Sequence, residues 1–156
     1  MRVSHKYKFI FFCNPKTGSD SFREMLDPYS DLRVNNNVRE QSKSFPFYTH
    51  ISPIETKEIF KKLEWEYDSY LKIICIRNPY YRLVSLYEMI YKRSPSLFRP
   101  SFKNWLLKSE NKGIGGGGKD YHRWRKYGTY SLDNLIFDKN GNSLVDKVIR
   151  LEDFNK

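Results

Sequence analysis

The sequence predicts an α/β sheet domain, and three observations carry that reading. Two apolar runs of strand length, Tyr7 to Cys13 and Leu71 to Ile76, are nearly continuous, as strands buried on both faces are. A glycine-containing turn follows the first run, and a helix start follows each of them. The order strand, loop, helix, strand, helix implies a sheet with right-handed crossovers. With 156 residues, 39% hydrophobic and 17% aromatic, the chain can bury one core, so residues 1–156 are read as one domain.

The elements follow in order. Tyr7 to Cys13, rich in aromatic residues, is the first central strand. Asn14-Pro15-Lys16-Thr17-Gly18-Ser19 is turn chemistry, and Asp20-Ser21 can cap a helix whose apolar face is Phe22, Met25 and Leu26. Asp27-Pro28 ends that helix. Tyr29 to Ser44 is polar and aperiodic, a long connection or mobile flap. Phe45 to His50 reads as a short strand. Ser52-Pro53-Ile54-Glu55 starts a second helix, with Ile54, Ile59, Phe60 and Leu63 as its apolar positions. Leu71 to Ile76 is the second buried strand, and Asn78-Pro79 opens a helix with Leu83, Leu86, Tyr87 and Ile90 on its core face. Phe102 to Leu107 reads as a short helix, and Gly113 to Gly118 as a flexible loop. Asp138-Lys139-Asn140-Gly141-Asn142 predicts a hairpin turn between strands at Leu132 to Phe137 and Leu144 to Arg150.

Lys and Arg total 28 against 18 Asp and Glu, a net charge of +10. This favours anionic partners: nucleotides, sulfated or carboxylated glycans, nucleic acid or acidic lipid. Cys13 and Cys75 each lie in an apolar run, so both are expected as reduced core residues, which fits a reducing compartment. No segment has the length of a membrane span or the pattern of a signal peptide, so a soluble cytoplasmic protein is expected. The chain stops directly after a strand-like run, which predicts either a C-terminally trimmed chain or a fold without a closing helix.

Two motifs carry chemistry. Strand, short glycine loop and helix start together turn backbone N–H groups and a positive helix end toward an anion, and Lys16 adds a point charge. The order G-x-x-x-x-G-K-S/T is absent, since here the lysine precedes the glycine, so an ordinary ATPase or GTPase loop is not supported. The second motif is Arg77-Asn78-Pro79-Tyr80-Tyr81-Arg82-Leu83-Val84-Ser85-Leu86-Tyr87. It places Arg77 at the carboxyl edge of the second strand, the usual ligand side of α/β sheets. Arg82 and Ser85 are one helical turn apart beside the core stripe, and a guanidinium with a hydroxyl suits a second phosphate.

In these motifs the chain resembles the sulfotransferases that use 3′-phosphoadenosine 5′-phosphosulfate (PAPS). Pro15 to Ser21 is similar to that family's 5′-phosphosulfate loop, and Arg77 to Tyr87 to its 3′-phosphate helix. Ser101-Phe102-Lys103-Asn104-Trp105 and Leu144 to Asp153 are similar to its later segments. The resemblance implies a P-loop-like three-layer fold, a central parallel sheet flanked by helices, with PAPS as donor, adenosine 3′,5′-bisphosphate (PAP) as product and no metal. It implies that Pro15, Lys16, Thr17, Gly18, Ser19, Asp20 and Ser21 hold the 5′-phosphosulfate, and that Arg77 and Ser85 fix the 3′-phosphate. The loop through Phe22 looks closest to the carbohydrate branch that includes heparan sulfate 2-O-sulfotransferases, which implies a sugar hydroxyl as acceptor. Asp20 departs from the family's usual Thr or Ser. An ionised carboxylate only accepts hydrogen bonds, so Asp20 must point away, cap the helix or weaken donor binding.

Sulfuryl transfer needs an in-line acceptor oxygen, a base for its proton and a cation at the leaving oxygen. Lys16 is read as the cation. His50, in Tyr48-Thr49-His50-Ile51-Ser52-Pro53, resembles the family's T-H-x-x-P segment and has the ordinary pKa of a base near neutral pH. Glu24, eight residues after Lys16, is the rival base, against a solvated helix glutamate. His122 is similar to a histidine of carbohydrate sulfotransferases, with its role open. His5 needs no function. Lys92, Arg93, Arg99, Lys103, Lys108, Lys112, Lys119, Arg123, Arg125 and Lys126, interleaved with Phe98, Trp105, Tyr121 and Trp124, would suit an anionic glycan or simply a solvated surface. Two other classes stay open: a noncatalytic anion or nucleic-acid binder, though no nucleic-acid module is matched, and a nucleotide-dependent phosphotransferase.

Overall fold

The computed structural model describes residues 1–35, 41–42, 44–92, 95–108 and 133–154. They fall into two compact units, Met1–Ile76 with Ser131–Lys156, and Arg77–Tyr130.

The first unit is built on a five-stranded sheet of order β3-β1-β2-β4-β5, formed by β1 (Arg2–Ser4), β2 (Phe9–Phe12), β3 (Leu32–Arg33), β4 (Leu71–Ile76) and β5 (Lys147–Arg150). Strands β2, β4 and β5 are parallel. β1 runs antiparallel to both β2 and β3, so the sheet is mixed with a parallel centre. The expected α/β class holds, with one addition. The N-terminal residues read as a lead-in form β1, and a turn in which Lys8 takes φ 53 returns the chain into β2. A three-residue strand holding an Arg and a Ser escapes a search for apolar runs. Its polar groups are satisfied inside the fold: the Arg2 guanidinium pairs with Asp27, and the Ser4 hydroxyl donates to Asp31 at 3.2 Å.

Alternation along β2 and β4 builds the layers. Ile10, Phe12 and Ile74 share a cluster with Phe60 of α2 (Pro53–Lys62), whereas Phe11, Cys13 and Cys75 share one with Phe22 of α1 (Ser19–Leu26). Helices therefore cover both faces of the sheet, the three-layer P-loop-like arrangement.

Ser52 and Glu55 close a capping box on α2, with Pro53 at its start. Its buried stripe is Pro53, Thr56 and Phe60; Ile54 and Leu63, expected inward, are exposed. Thr56 can occupy the stripe because its hydroxyl donates to the Ser52 carbonyl at 2.8 Å. Residues 45–50 form no strand. Pro46 lacks the N–H a ladder needs, and Phe47 packs into the main core on Phe60 and Trp65. On α1, Phe22 is buried but Met25 is exposed. The described start of the connection after α1 holds a 3-10 turn at Asp27–Tyr29 and then β3, regular elements that were not expected there.

The turn at 138–142 forms as predicted, with the Asp138 carboxylate accepting from the amides of Asn140 and Asn142 at 2.8 Å each, and Gly141 at φ 81. Its flanks do not form a hairpin. Asp133–Ile136 is a helical turn, Phe137 and Ser143 share an isolated bridge, and Lys147–Arg150 pairs with β4 instead. A parallel place beside a buried strand outcompetes a local return.

The second unit contains α3 (Pro79–Tyr91) and α4 (Phe102–Lys108). Asn78 caps α3, its side chain accepting from the Tyr80 amide at 3.0 Å. Leu86, Tyr87, Tyr91 and Trp105 form the core. Trp105, grouped with aromatics that could stack on sugars, is only 1% exposed and cannot do so. Arg99 is held by Glu88 and the Tyr87 hydroxyl. The Gly113–Gly118 tract, Arg93, Lys112, Lys119, Tyr121, His122, Arg123, Trp124, Arg125 and Lys126 lie outside the described residues. No described helix is long and apolar enough to cross a membrane.

Phe60, fully buried, meets Phe47, Trp65, Tyr67 and Tyr70 edge-on. Phe60→Ala is expected to lower unfolding stability by about 3–5 kcal/mol in urea denaturation. A loss under about 1 kcal/mol would mean that this aromatic cluster is not the core.

Candidate functional site

Strand β2 stops at Phe12, and residues 13–18 carry the chain to α1. From this end α1 leads toward β3 on one side of the sheet, while β4 and β5 lie on the other. Such a reversal at the carboxyl edge is where α/β sheets bind ligands. The loop is braced from within. Thr17, fully buried, donates its hydroxyl to the Asn14 carbonyl at 2.8 Å, and Cys75 on β4 donates its thiol to the Thr17 carbonyl at 3.0 Å.

Two residues of the loop adopt left-handed backbone conformations, Lys16 at φ 63 and Gly18 at φ 74. A lysine in that region costs about 1–3 kcal/mol, and such strain concentrates at functional sites. Backbone that alternates into the left-handed region forms concave amide surfaces that attract anions. Gly18 is also the N-cap of α1, in place of the expected Asp20-Ser21, so the positive helix end opens from the loop itself. Its lack of a side chain is required twice. Beyond the dihedral, a Cβ there would lie 2.6 Å from Cδ1 of Leu151, the residue directly after β5.

Asp20 takes the first of its three expected courses. It lies exposed in the first turn of α1, makes no cap, and its carboxylate pairs with Arg23. Arg23, which the sequence reading passed over, also donates to the Asn35 side chain at 2.9 Å. The i,i+3 spacing of Asp20 and Arg23 was the available signal.

His50 is brought to the same strand end. Its Nδ1 lies 2.8 Å from the Cys13 carbonyl, an acceptor, so Nδ1 carries the proton and Nε2 is left with a lone pair. By area His50 counts as exposed, yet protein crowds the ring closely enough that burial lowers its pKa. The Cys13 hydrogen bond opposes that shift, and nearby Arg23 reinforces it. Glu24 is exposed on α1. His5, assigned no function, sits at 2.7 Å from the Tyr70 hydroxyl.

Arg77 and Ser85 belong to the second unit, Arg77 half-buried ahead of the Asn78 cap and Ser85 half-buried on α3. Arg82, one turn before Ser85, is buried. A cleft of about 560 Å³ in the first unit runs along β5, lined by Ile76, Lys147, Arg150, Asp153 and Phe154 among others, and contains none of the predicted site residues. Among the described residues no cluster of His, Cys, Asp and Glu is arranged to hold a metal ion.

A family model described as the sulfotransferase family matches residues 1–140, the span that contains the strand end, the loop and His50. The chain belongs to the sulfotransferase family. No curated protein and no solved structure matches it. In this sulfotransferase the loop after β2 and the histidine bonded to the Cys13 carbonyl at its start are contributed by one unit of the fold.

Gly18→Ala is expected to destabilise this sulfotransferase by about 1–3 kcal/mol through backbone strain and collision with Leu151. Leu151→Ala removes the collision, so in a double-mutant cycle the two changes should couple favourably by about 1 kcal/mol. Strict additivity in urea denaturation would show that Leu151 does not press on the loop.

Proposed function

We propose that the chain transfers a sulfuryl group from PAPS to a hydroxyl of a carbohydrate acceptor, as in the heparan sulfate 2-O-like branch. The observation that carries this reading is the shared strand end: the anion loop leaves β2 at the residue whose carbonyl fixes the His50 ring. Family membership supports sulfuryl transfer. The donor loop suits a 5′-phosphosulfate because it combines left-handed backbone, a helix N-terminus and a lysine.

The donor supplies a sulfuryl group on a phosphate leaving group. Lys16 and the amides of Thr17 to Ser21 hold the 5′-phosphosulfate, and Lys16 absorbs charge on the departing phosphate oxygen. His50 Nε2 takes the acceptor hydroxyl proton as the new O–S bond forms and the S–O bond to phosphate breaks. By the resemblance of their motif, Arg77 and Ser85 are the residues proposed for the 3′-phosphate. The Asp20 carboxylate, paired with Arg23, takes no part in holding the anion, to which residue 20 offers only its amide. The net charge of +10 favours an anionic glycan, and the buried thiols Cys13 and Cys75 favour a reducing, cytoplasmic compartment.

Thermal shift with adenosine 3′,5′-bisphosphate, compared with ATP and AMP, is the decisive test. A shift confined to the bisphosphate is expected, and indifference to it would remove the donor assignment. Lys16→Ala should lower kcat at least about 100-fold. His50→Ala should lower it about 100- to 10,000-fold with bisphosphate affinity retained. Full turnover in the His50 variant would hand the proton to Glu24 or water.

The base works only when neutral, and burial lowers the His50 pKa. The acid limb of kcat/KM should therefore fall below the ordinary imidazole midpoint, with a flat profile above it. An acid limb at or above that midpoint would contradict His50 as the group that titrates.

A further inference from the structure

The thiol of Cys75 has no place in the chemistry above, yet it reaches into the loop. It is fully buried on β4 and donates to the Thr17 carbonyl at 3.0 Å, with the carbonyl of Ile76 as a more distant second acceptor at 3.7 Å. Thr17 and Cys75 are 58 residues apart, so this bond ties the loop to the neighbouring strand. It bears on the anion site through peptide geometry. No peptide bond among the described residues is cis. In a trans peptide the carbonyl of one residue and the N–H of the next point in opposite directions. With the Thr17 carbonyl drawn to Cys75, the Gly18 N–H, at the N-cap of α1, points the opposite way, away from β4.

From this geometry we infer that Cys75 is a positioning residue of the donor site, holding the Thr17–Gly18 peptide so that the Gly18 amide faces the 5′-phosphosulfate. The inference rests on the donor reading of the loop. Two contacts and one dihedral set the rest of this peptide's surroundings. The Thr17 hydroxyl is committed to Asn14, Gly18 is held at a left-handed φ, and Leu151 closes the space beneath Gly18. A flip of the peptide would aim the Thr17 carbonyl at the anion, replacing attraction by repulsion. Burial also raises the Cys75 pKa to about 11, so the group stays a protonated donor through the neutral range.

The test separates the two phosphates of the ligand. Affinities for adenosine 3′,5′-bisphosphate and for adenosine 3′-phosphate, which lacks the 5′ group, are measured by calorimetry on wild type, Cys75→Ser and Cys75→Val, with melting temperatures alongside. Ser keeps a donor and Val fills the volume without one. The bisphosphate is expected to bind the Val variant about three- to tenfold more weakly, the weight of one neutral hydrogen bond. The Ser variant should stay within about twofold of wild type. Adenosine 3′-phosphate should bind all three alike, which a merely destabilised core would not produce. Should the Val variant not fold, Cys75→Ala takes its place with the same expected ratio. Equal bisphosphate affinity in the donorless variant, or equal loss of both ligands, overturns the inference while leaving the donor reading intact. Wild-type indifference to the bisphosphate overturns both.

Discussion

The parallel pairing of β2 with β4 sets the position of nearly everything described at the site. Phe9 to Phe12 lie opposite Leu71 to Ile74, so β4 continues past the end of β2 and Cys75 reaches the loop that leaves β2. β5 extends the same register, with Ile76 opposite Arg150, and so delivers Leu151 beneath Gly18. A slip by one residue would turn Phe11 and Cys13 from the α1 face to the α2 face and expel Ile10 and Phe12 from theirs. With both faces buried, that exchange would mismatch two cores at once, so the register is strongly specified.

Much of this framework was legible in the sequence because it is written in local patterns. The apolar runs located β2 and β4, Ser52-Pro53 and Asn78-Pro79 located two helix starts, and Asn14 to Ser19 located the turn between β2 and α1. The misses share a physical cause: they depend on partners distant in the chain. β1 is a strand only because Asp27 and Asp31 accept its polar groups. Lys147–Arg150 joins β4 rather than its sequence neighbour. Neither the thiol bond to Thr17 nor the leucine under Gly18 leaves a local trace. Pro46, like the spacing of Asp20 and Arg23, was a missed signal in plain view, since a proline inside a short run argues against a strand.

The departure at position 20 illustrates how a loop tolerates a change of charge. A hydroxyl there would be free to turn toward an anion, whereas the carboxylate is engaged by a guanidinium that Asn35 also holds. Because Gly18 supplies the cap, the side chain at 20 is not needed to start α1. The carboxylate at position 20 therefore changes the electrostatics around the loop, while the N-cap of α1 does not call on it.

The outer strands of the sheet give some of the chain's positive charge a second meaning. Among the described residues, β3 is two residues long and carries Arg33, while β5 presents Lys147 and Arg150 on either side of a partly exposed Val148. Open strand edges are templates for edge-to-edge association, and short edges and cations are the usual means of blocking it. Two copies meeting along β5 would bring lysine and arginine against one another. The basic character that invites anionic ligands thus also keeps the sheet from extending itself into a neighbour.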